Sequence, residues 1–237
     1  EAGVEVPEAA ADDLADWFED QSDSGSLVEY LKTFDLTVAV MQTRDGLRRV
    51  AKEFVEDLAA DGVIYGEVRW APEQHLQGGL SLDEVVEAVQ EGIEEGEDSI
   101  EGSGRDIRVG QLITAMRHTD RSLEIAELAV RHRGRGAVGF DIAGPEAGFP
   151  PSNLRPAFDY LASVFFPATV HAGEAAGLDS IRSALIDGRA LRLGHGVRIA
   201  EDLDVVEQKG EEVQVRFGDL ARWVRDREIP LELSPSS

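Results

Sequence analysis

The chain has 237 residues, 42% of them hydrophobic and 30% charged, which suits one large α/β domain or two small ones and excludes a disordered chain. Its net charge of −24, from 23 basic and 47 acidic residues, repels a nucleic-acid backbone, and no run approaches the roughly 18 apolar residues of a membrane helix. The absence of cysteine excludes disulfides, thiolate metal sites and cysteine nucleophiles, so His, Asp and Glu must carry any metal or acid-base chemistry.

Residues 12 to 60 carry apolar residues at three- and four-residue spacing in DDLADWFED, GSLVEYLKTFDL and DGLRRVAKEFVEDLAADG, which predicts two or three helices. Asp45 is a candidate N-cap for the last of them and Gly62 its C-terminal stop. The pattern then becomes an alternation: VIYGEVRW (63 to 70), the helical SLDEVVEAVQEGIEE, IRVGQLITAM (107 to 116) and the helical DRSLEIAELAVRHRG. It continues with AVGFDIAG (137 to 144), PSNLRPAFDYLASVF, ATVHAGE (168 to 174), LDSIRSALIDG and LRLGHGV (191 to 197). A helical stretch is expected from there to about Arg227, before a last run, IPLELSPSS. Ser81 with Glu84 makes a capping box for the helix after the first run, and the acidic EEGEDSIEGSG that ends that helix reads as a solvated connection.

Six strand-like runs separated by helices predict repeated βαβ units and a parallel sheet. Each run closes on polar groups: Glu67 and Arg69, Arg117 and His118, Asp141, His171 with Glu174, His195, and Ser234 with Ser236. Parallel α/β barrels set their active sites at the C-terminal ends of the strands, so this regularity predicts one shared rim. No G-x-G-x-x-G or P-loop follows the first run, which argues against a nucleotide cofactor.

HAGE at 171 to 174 is the strongest local signal. An imidazole is a common zinc ligand, and a carboxylate two small residues away can serve as general acid or base; alternatively His171 satisfies a core hydrogen bond and Glu174 opens the next helix. LGHG sets His195 between glycines that permit close approach of a ligand or an unusual turn. Asp141 ends a strand, and Gly144 presents a backbone N–H unobstructed by a side chain, although both also fit an ordinary strand-to-loop turn. Glu67 and Arg69 share one side of a strand and are expected to form an internal ion pair. His132, in the basic run RHRGR, and His75, in a Gln- and Gly-containing loop, are both expected to be solvated.

Taken in succession, VGFDIAG, HAGE, LGHGVRI and LELSPSS resemble the adenosine deaminase branch of the amidohydrolase superfamily, from about Ala15 to Ser237. SLVEYLKTFDLTVAVMQT and VIYGEVRWAP also resemble that family's lid helices and second strand. The resemblance implies a TIM (β/α)8 barrel in a single domain over 1–237, with strands two to seven represented and 12–60 a helical lid or insert before the second strand. It implies one Zn2+ per subunit with His171 as a ligand, Glu174 protonating purine N1, and His195 orienting or deprotonating the metal's water. Gly144 would offer its N–H to purine N3, Asp141 would stand with the substrate-binding groups, and Leu27, Tyr30, Leu31 and Phe34 match apolar positions that cover the nucleoside. The implied reaction is hydrolytic deamination of adenosine, with deoxyadenosine as a further substrate, to inosine and ammonia in purine salvage. Deamination of another 6-aminopurine, and an inactive purine-binding barrel, are the competing readings.

Two departures qualify the resemblance. The family's H-x-H on strand one and its strand-eight aspartate have no counterpart, leaving one of four expected protein ligands. The residues are therefore expected to belong to a longer protein. It is expected to be cytoplasmic, with a small-molecule purine nucleoside as partner and with neither nucleic acid nor membrane bound.

Overall fold

The computed structural model describes residues 4, 6, 7, 10–22, 31 and 33–234. The chain divides into two compact units, one formed by residues 1–115, 127–138 and 237, the other by 116–126 and 139–236.

In the first unit, helices α1 (Ala11–Ser22), α2 (Thr33–Val40) and α3 (Arg44–Ala60) precede strand β1 (Tyr65–Trp70), and α4 (Leu82–Ile100) leads to β2 (Arg108–Met116). The residue that caps α3 is Thr43, whose hydroxyl accepts from the Gly46 N–H at 3.1 Å, and Asp45 lies in the first turn instead, where a carboxylate suits the dipole. Gly62, at φ +88°, ends that helix one residue past its C-cap, as its position predicts. The expected capping box is present: Ser81 and Glu84 bond reciprocally.

Helix α4 runs through most of the segment expected to be a solvated connection, because Gly92 and Gly96 let it lie against α3. A Cβ on Gly92 would stand 2.8 Å from the Ala51 Cβ, and one on Gly96 2.6 Å from the Val55 Cβ. Leu47, Ala51, Val55 and Ala59 of α3 accordingly bury against Val85, Ala88, Val89 and Ile93 of α4 in one core cluster with Ile107 and Val109. On the rim of that seam Arg48 pairs with Glu95 at 2.7 Å.

Strands β1 and β2 pair in parallel, Tyr65 opposite Arg108 through Trp70 opposite Ile113, in a sheet ordered β1-β2-β3, where β3 is Ala137–Ala143. Helix α5 (Ser122–Arg131) connects β2 to β3. Two histidines expected to be solvated are buried here. His132 is 2% exposed and meets Asp83 at 2.8 Å; His75 is 3% exposed, with Nδ1 2.9 Å from the Met41 carbonyl oxygen. Each has a polar partner that offsets its burial, which a surface-like sequence context does not disclose. Glu67 accepts from the Tyr65 hydroxyl at 2.8 Å.

The second unit holds most of β3, then α6 (Arg155–Ser163), β4 (Thr169–Ala172), α7 (Leu178–Ile186) and β5 (Arg192–His195). It continues with β6 (Leu203–Lys209), β7 (Glu212–Phe217), α8 (Asp219–Asp226) and β8 (Leu231–Glu232). Strands β4, β5 and β8 form a parallel sheet in that order, and a parallel bridge from Phe140 to Ala168 sets β3 beside β4. Phe140, Ile142, Phe158, Leu161, Val170, Ile181 and Leu193 are buried at its centre, with Phe140 edge-on to Phe158.

The stretch from Leu203 to Phe217, expected to be helical, is an antiparallel hairpin with Val205 opposite Val215. Helix appears only after it, in α8. The hairpin turns at Gly210, at φ +64°, and its second strand alternates Val213, Val215 and Phe217 with Gln214 and Arg216, a period of two that favours a strand. Its base is closed where the Gly218 N–H donates to the Asp202 carbonyl oxygen at 2.7 Å. The Asp202 carboxylate also accepts from the Ala221 N–H at 2.8 Å, which caps α8 from the other side of the hairpin.

Candidate active site

In the second unit the polar groups at the ends of β3, β4 and β5 come together. Asp141 near the end of β3 is fully buried. Its Oδ2 lies 2.8 Å from Nδ1 of His171, while Oδ1 accepts from the N–H of Ile142 at 2.7 Å and of His171 at 3.2 Å. The sequence sets Asp141 among the substrate-contacting groups; in the structure its carboxylate faces the His171 imidazole. Because Nδ1 faces Asp141, Nε2 is the ring atom of His171 left to bind something else, the arrangement in which a carboxylate fixes a metal-ligating histidine.

The ring of His171 lies edge-on to that of His195, centroids 5.1 Å apart. Their closeness depends on Gly194, which pairs with His171 across the β4–β5 ladder. A Cβ there would stand 3.0 Å from His171 Nδ1, so the first glycine of LGHG makes room for the neighbouring strand's imidazole. His195 itself adopts φ +66°, a conformation that costs a non-glycine residue about 1 kcal/mol or more and that collects at functional sites. It turns the ring toward Glu174, whose Oε1 lies 3.5 Å from His195 Nε2. Both side chains keep partial access to solvent, 14% for His195 and 27% for Glu174.

The small residues of HAGE have a packing reason as well. Gly173 is at φ +74°, and a Cβ on it would meet the Ile181 side chain at 2.6 Å. Gly144, at φ +101°, approaches the His118 ring so closely that a Cβ would stand 3.1 Å from its Nδ1. His118 lies just past the end of β2, edge-on to Phe149.

Two residues outside the sequence-derived site set buttress this centre. Arg117 is 2% exposed and donates to the His171 carbonyl oxygen from Nη2 at 2.6 Å; burial lowers its pKa, while Glu146, Asp141 and Glu174 act in the opposite sense. Glu146 is 5% exposed and accepts from the backbone that follows His171. Burial pushes its pKa up, but the Ser180 hydroxyl and the N–H groups of Ala176, Gly173 and Ala175 outweigh burial and leave it below the usual carboxylate range. Arg117 is visible in sequence as a charge at a strand end, whereas nothing marks Glu146, after Pro145, as more than a loop carboxylate.

Of the apolar positions assigned to the lid, Leu27 and Tyr30 lie outside the described residues; Leu31 is half-buried and Phe34 is 44% exposed. Ser234 is exposed and Ser236 lies outside the described residues. Among the described residues no group of three or more His, Cys, Asp or Glu is placed to hold a metal ion. The fit to a metal is that of one ligand: His171, presenting Nε2 and held by Asp141.

An α/β protein whose paired imidazoles and carboxylates stand at or just past the ends of successive parallel strands has the layout of a strand-end acid-base centre. The chain belongs to the adenosine deaminase family, whose model matches residues 1–237. It is 59% identical over 233 residues to adenosine deaminase 1 of Streptomyces coelicolor, covering 98% of this chain and 58% of that protein. The chain thus spans less than two thirds of that relative's length. Among solved structures it shares the fold of adenine deaminase from Arthrobacter aurescens, with a TM-score of 0.75 at 21% identity over 97% of this chain and 63% of that one. It also shares the fold of an amidohydrolase from Burkholderia ambifaria solved with bound Zn, with a TM-score of 0.68 at 22% identity over 81% of this chain and 52% of that one.

Proposed function

We propose that the protein to which this chain belongs is a zinc-dependent hydrolase that removes the 6-amino group of adenosine, and of deoxyadenosine, giving inosine and ammonia in cytoplasmic purine salvage. The observation that carries this reading is the apposition of Glu174 and His195, 3.5 Å apart, beside an imidazole oriented by a buried aspartate. Membership of the family over the whole chain, at 59% identity to an adenosine deaminase, supports the choice of substrate. The six parallel strands would be part of a closed (β/α)8 barrel in the whole protein.

His171 would hold one zinc per subunit through Nε2, its ring held in place by the contact of Nδ1 with Asp141. When bound, the metal supplies Lewis acidity that makes water a competent nucleophile near neutral pH. Glu174 donates a proton to purine N1, which draws electron density away from C6 as water adds there. His195 orients the attacking water, accepts its proton and passes it to the 6-amino group, which leaves C6 as ammonia while the proton of the new hydroxyl returns to Glu174. The Gly144 N–H binds purine N3, with no side chain between backbone and ligand. Leu27, Tyr30, Leu31 and Phe34 contribute apolar contacts to the nucleoside.

The test is the absorbance change as adenosine becomes inosine, followed with the full-length, zinc-loaded protein. Glu174→Gln should lower kcat by about 10²- to 10⁴-fold, the range for loss of a general acid, without loss of zinc. A full-length protein that holds zinc and leaves adenosine unchanged would sink the reading. Turnover of adenine or of an N6-substituted adenosine in adenosine's place would transfer the same chemistry to another 6-aminopurine.

A further inference from the structure

The loop that carries Glu174 is held from beneath by a group to which the proposed reaction assigns no role. The Glu146 carboxylate accepts from four successive backbone N–H groups, those of Gly173 at 2.6 Å, Glu174 at 3.2 Å, Ala175 at 2.7 Å and Ala176 at 2.7 Å, and also from the Ser180 hydroxyl. Consecutive N–H groups that converge in this way form an anion-binding concavity. Here the anion is supplied by the loop after β3, two residues beyond Gly144. The positive φ of Gly173 sets the concavity's shape, and Ile181 closes the space behind it.

On the other side of the same turn Arg117 donates to the His171 carbonyl oxygen at 2.6 Å and to that of Phe149 at 3.4 Å. Its Nε is buried with no hydrogen-bond partner among the described residues. The segment from His171 to Ala176 is therefore gripped by a buried cation at its carbonyl end and a buried anion along its N–H groups. A loop that needed only to connect β4 to α7 could satisfy these N–H groups with water, at no cost in charge burial.

We infer that Glu146 is a positioning residue for the deamination step: by fixing the backbone of residues 173–176 it aims the Glu174 carboxyl at the reacting purine. This rests on the function proposed above. The requirement is geometric, since misplacement of an acid-base group by about 1 Å can cost about 10²-fold in rate. Glu146→Gln preserves shape but replaces one acceptor oxygen with an NH₂ that points at backbone N–H donors, so the loop must shift.

The experiment uses the full-length, zinc-loaded protein. Glu146→Gln should lower kcat by about 10²-fold with KM for adenosine and zinc content close to wild type, and should speed amide hydrogen exchange at Gly173–Ala176. Glu146→Asp, which restores the charge, should recover part of the lost kcat. Wild-type kcat in Glu146→Gln, whatever its melting temperature, would overturn the inference, as would unchanged exchange at those four amides. If Glu146→Gln does not fold, Ser180→Ala decides: faster exchange with a lower kcat supports the inference, and no change in either overturns it. An inactive wild-type enzyme would fail the proposed function itself, whereas an active wild type with an indifferent Glu146→Gln fails only this assignment.

Discussion

At the scale of single residues, the centre depends on what glycine omits as much as on what histidine and glutamate supply. Gly194→Ala would put a methyl group 3.0 Å from His171 Nδ1, against both the ring and the Asp141 bond that holds it. Overpacking of this kind costs about 1–3 kcal/mol, and the measurements are the melting temperature and the zinc content of the full-length variant, both expected to fall. Asp141→Ala frees the imidazole to rotate and should weaken zinc binding by about 10- to 100-fold, the range for loss of an outer partner, in a competitive chelator titration. His75 carries a separate, pH-dependent contribution. Burial lowers its pKa, against the raising effect of its bond to the Met41 carbonyl, so the folded protein favours the neutral ring. Its stabilisation is complete above the unfolded imidazole pKa of about 6.5 and is lost as pH falls toward the lower folded value. Denaturation midpoints measured from neutral to mildly acid pH should therefore decline more steeply in wild type than in His75→Gln.

At the scale of elements, the contact between α3 and α4 sets two effects against each other. Alanine is a better helix former than glycine by about 1 kcal/mol, so Gly96→Ala would stabilise an isolated α4. In the protein its Cβ would stand 2.6 Å from the Val55 Cβ, and separation of the helices should win, with net destabilisation read as a lower denaturation midpoint. That contact also shows why α4 is longer than its composition suggests. EEGEDSIEGSG has the charge and glycine of a loop, but Gly92 and Gly96 fall four apart on the face that meets α3, a pairing that local reading assigns to flexibility. Strand ends, by contrast, were legible, because a buried parallel strand excludes polar residues until it stops. Asp141, His171 and His195 announce the ends of β3, β4 and β5 for that reason. The hairpin β6–β7 interrupts the strand–helix alternation from which a helix is expected there, although Lys209-Gly210 followed by alternating Val213 and Val215 is a hairpin pattern.

At the scale of the molecule, the sequence makes the order of strands and the location of the centre readable, since both follow from periodicity and from the rule that βαβ units expose their strand ends on one rim. It does not disclose what supports the centre. Glu146 and Arg117 bond backbone atoms of β4 and of the loop after it, and a bond to a main chain leaves no trace in the identity of the residue it reaches. His132 escaped for a related reason, its partner Asp83 lying 49 positions away in the chain.

The hairpin has one practical consequence. Its two ends are already joined by the Asp202–Gly218 bond, and a Cβ on Gly210 at its tip would meet nothing within 4 Å. A fluorophore or affinity tag spliced in at Gly210 should therefore leave the melting temperature of the full-length protein unchanged, giving it a handle on an open, solvent-facing turn.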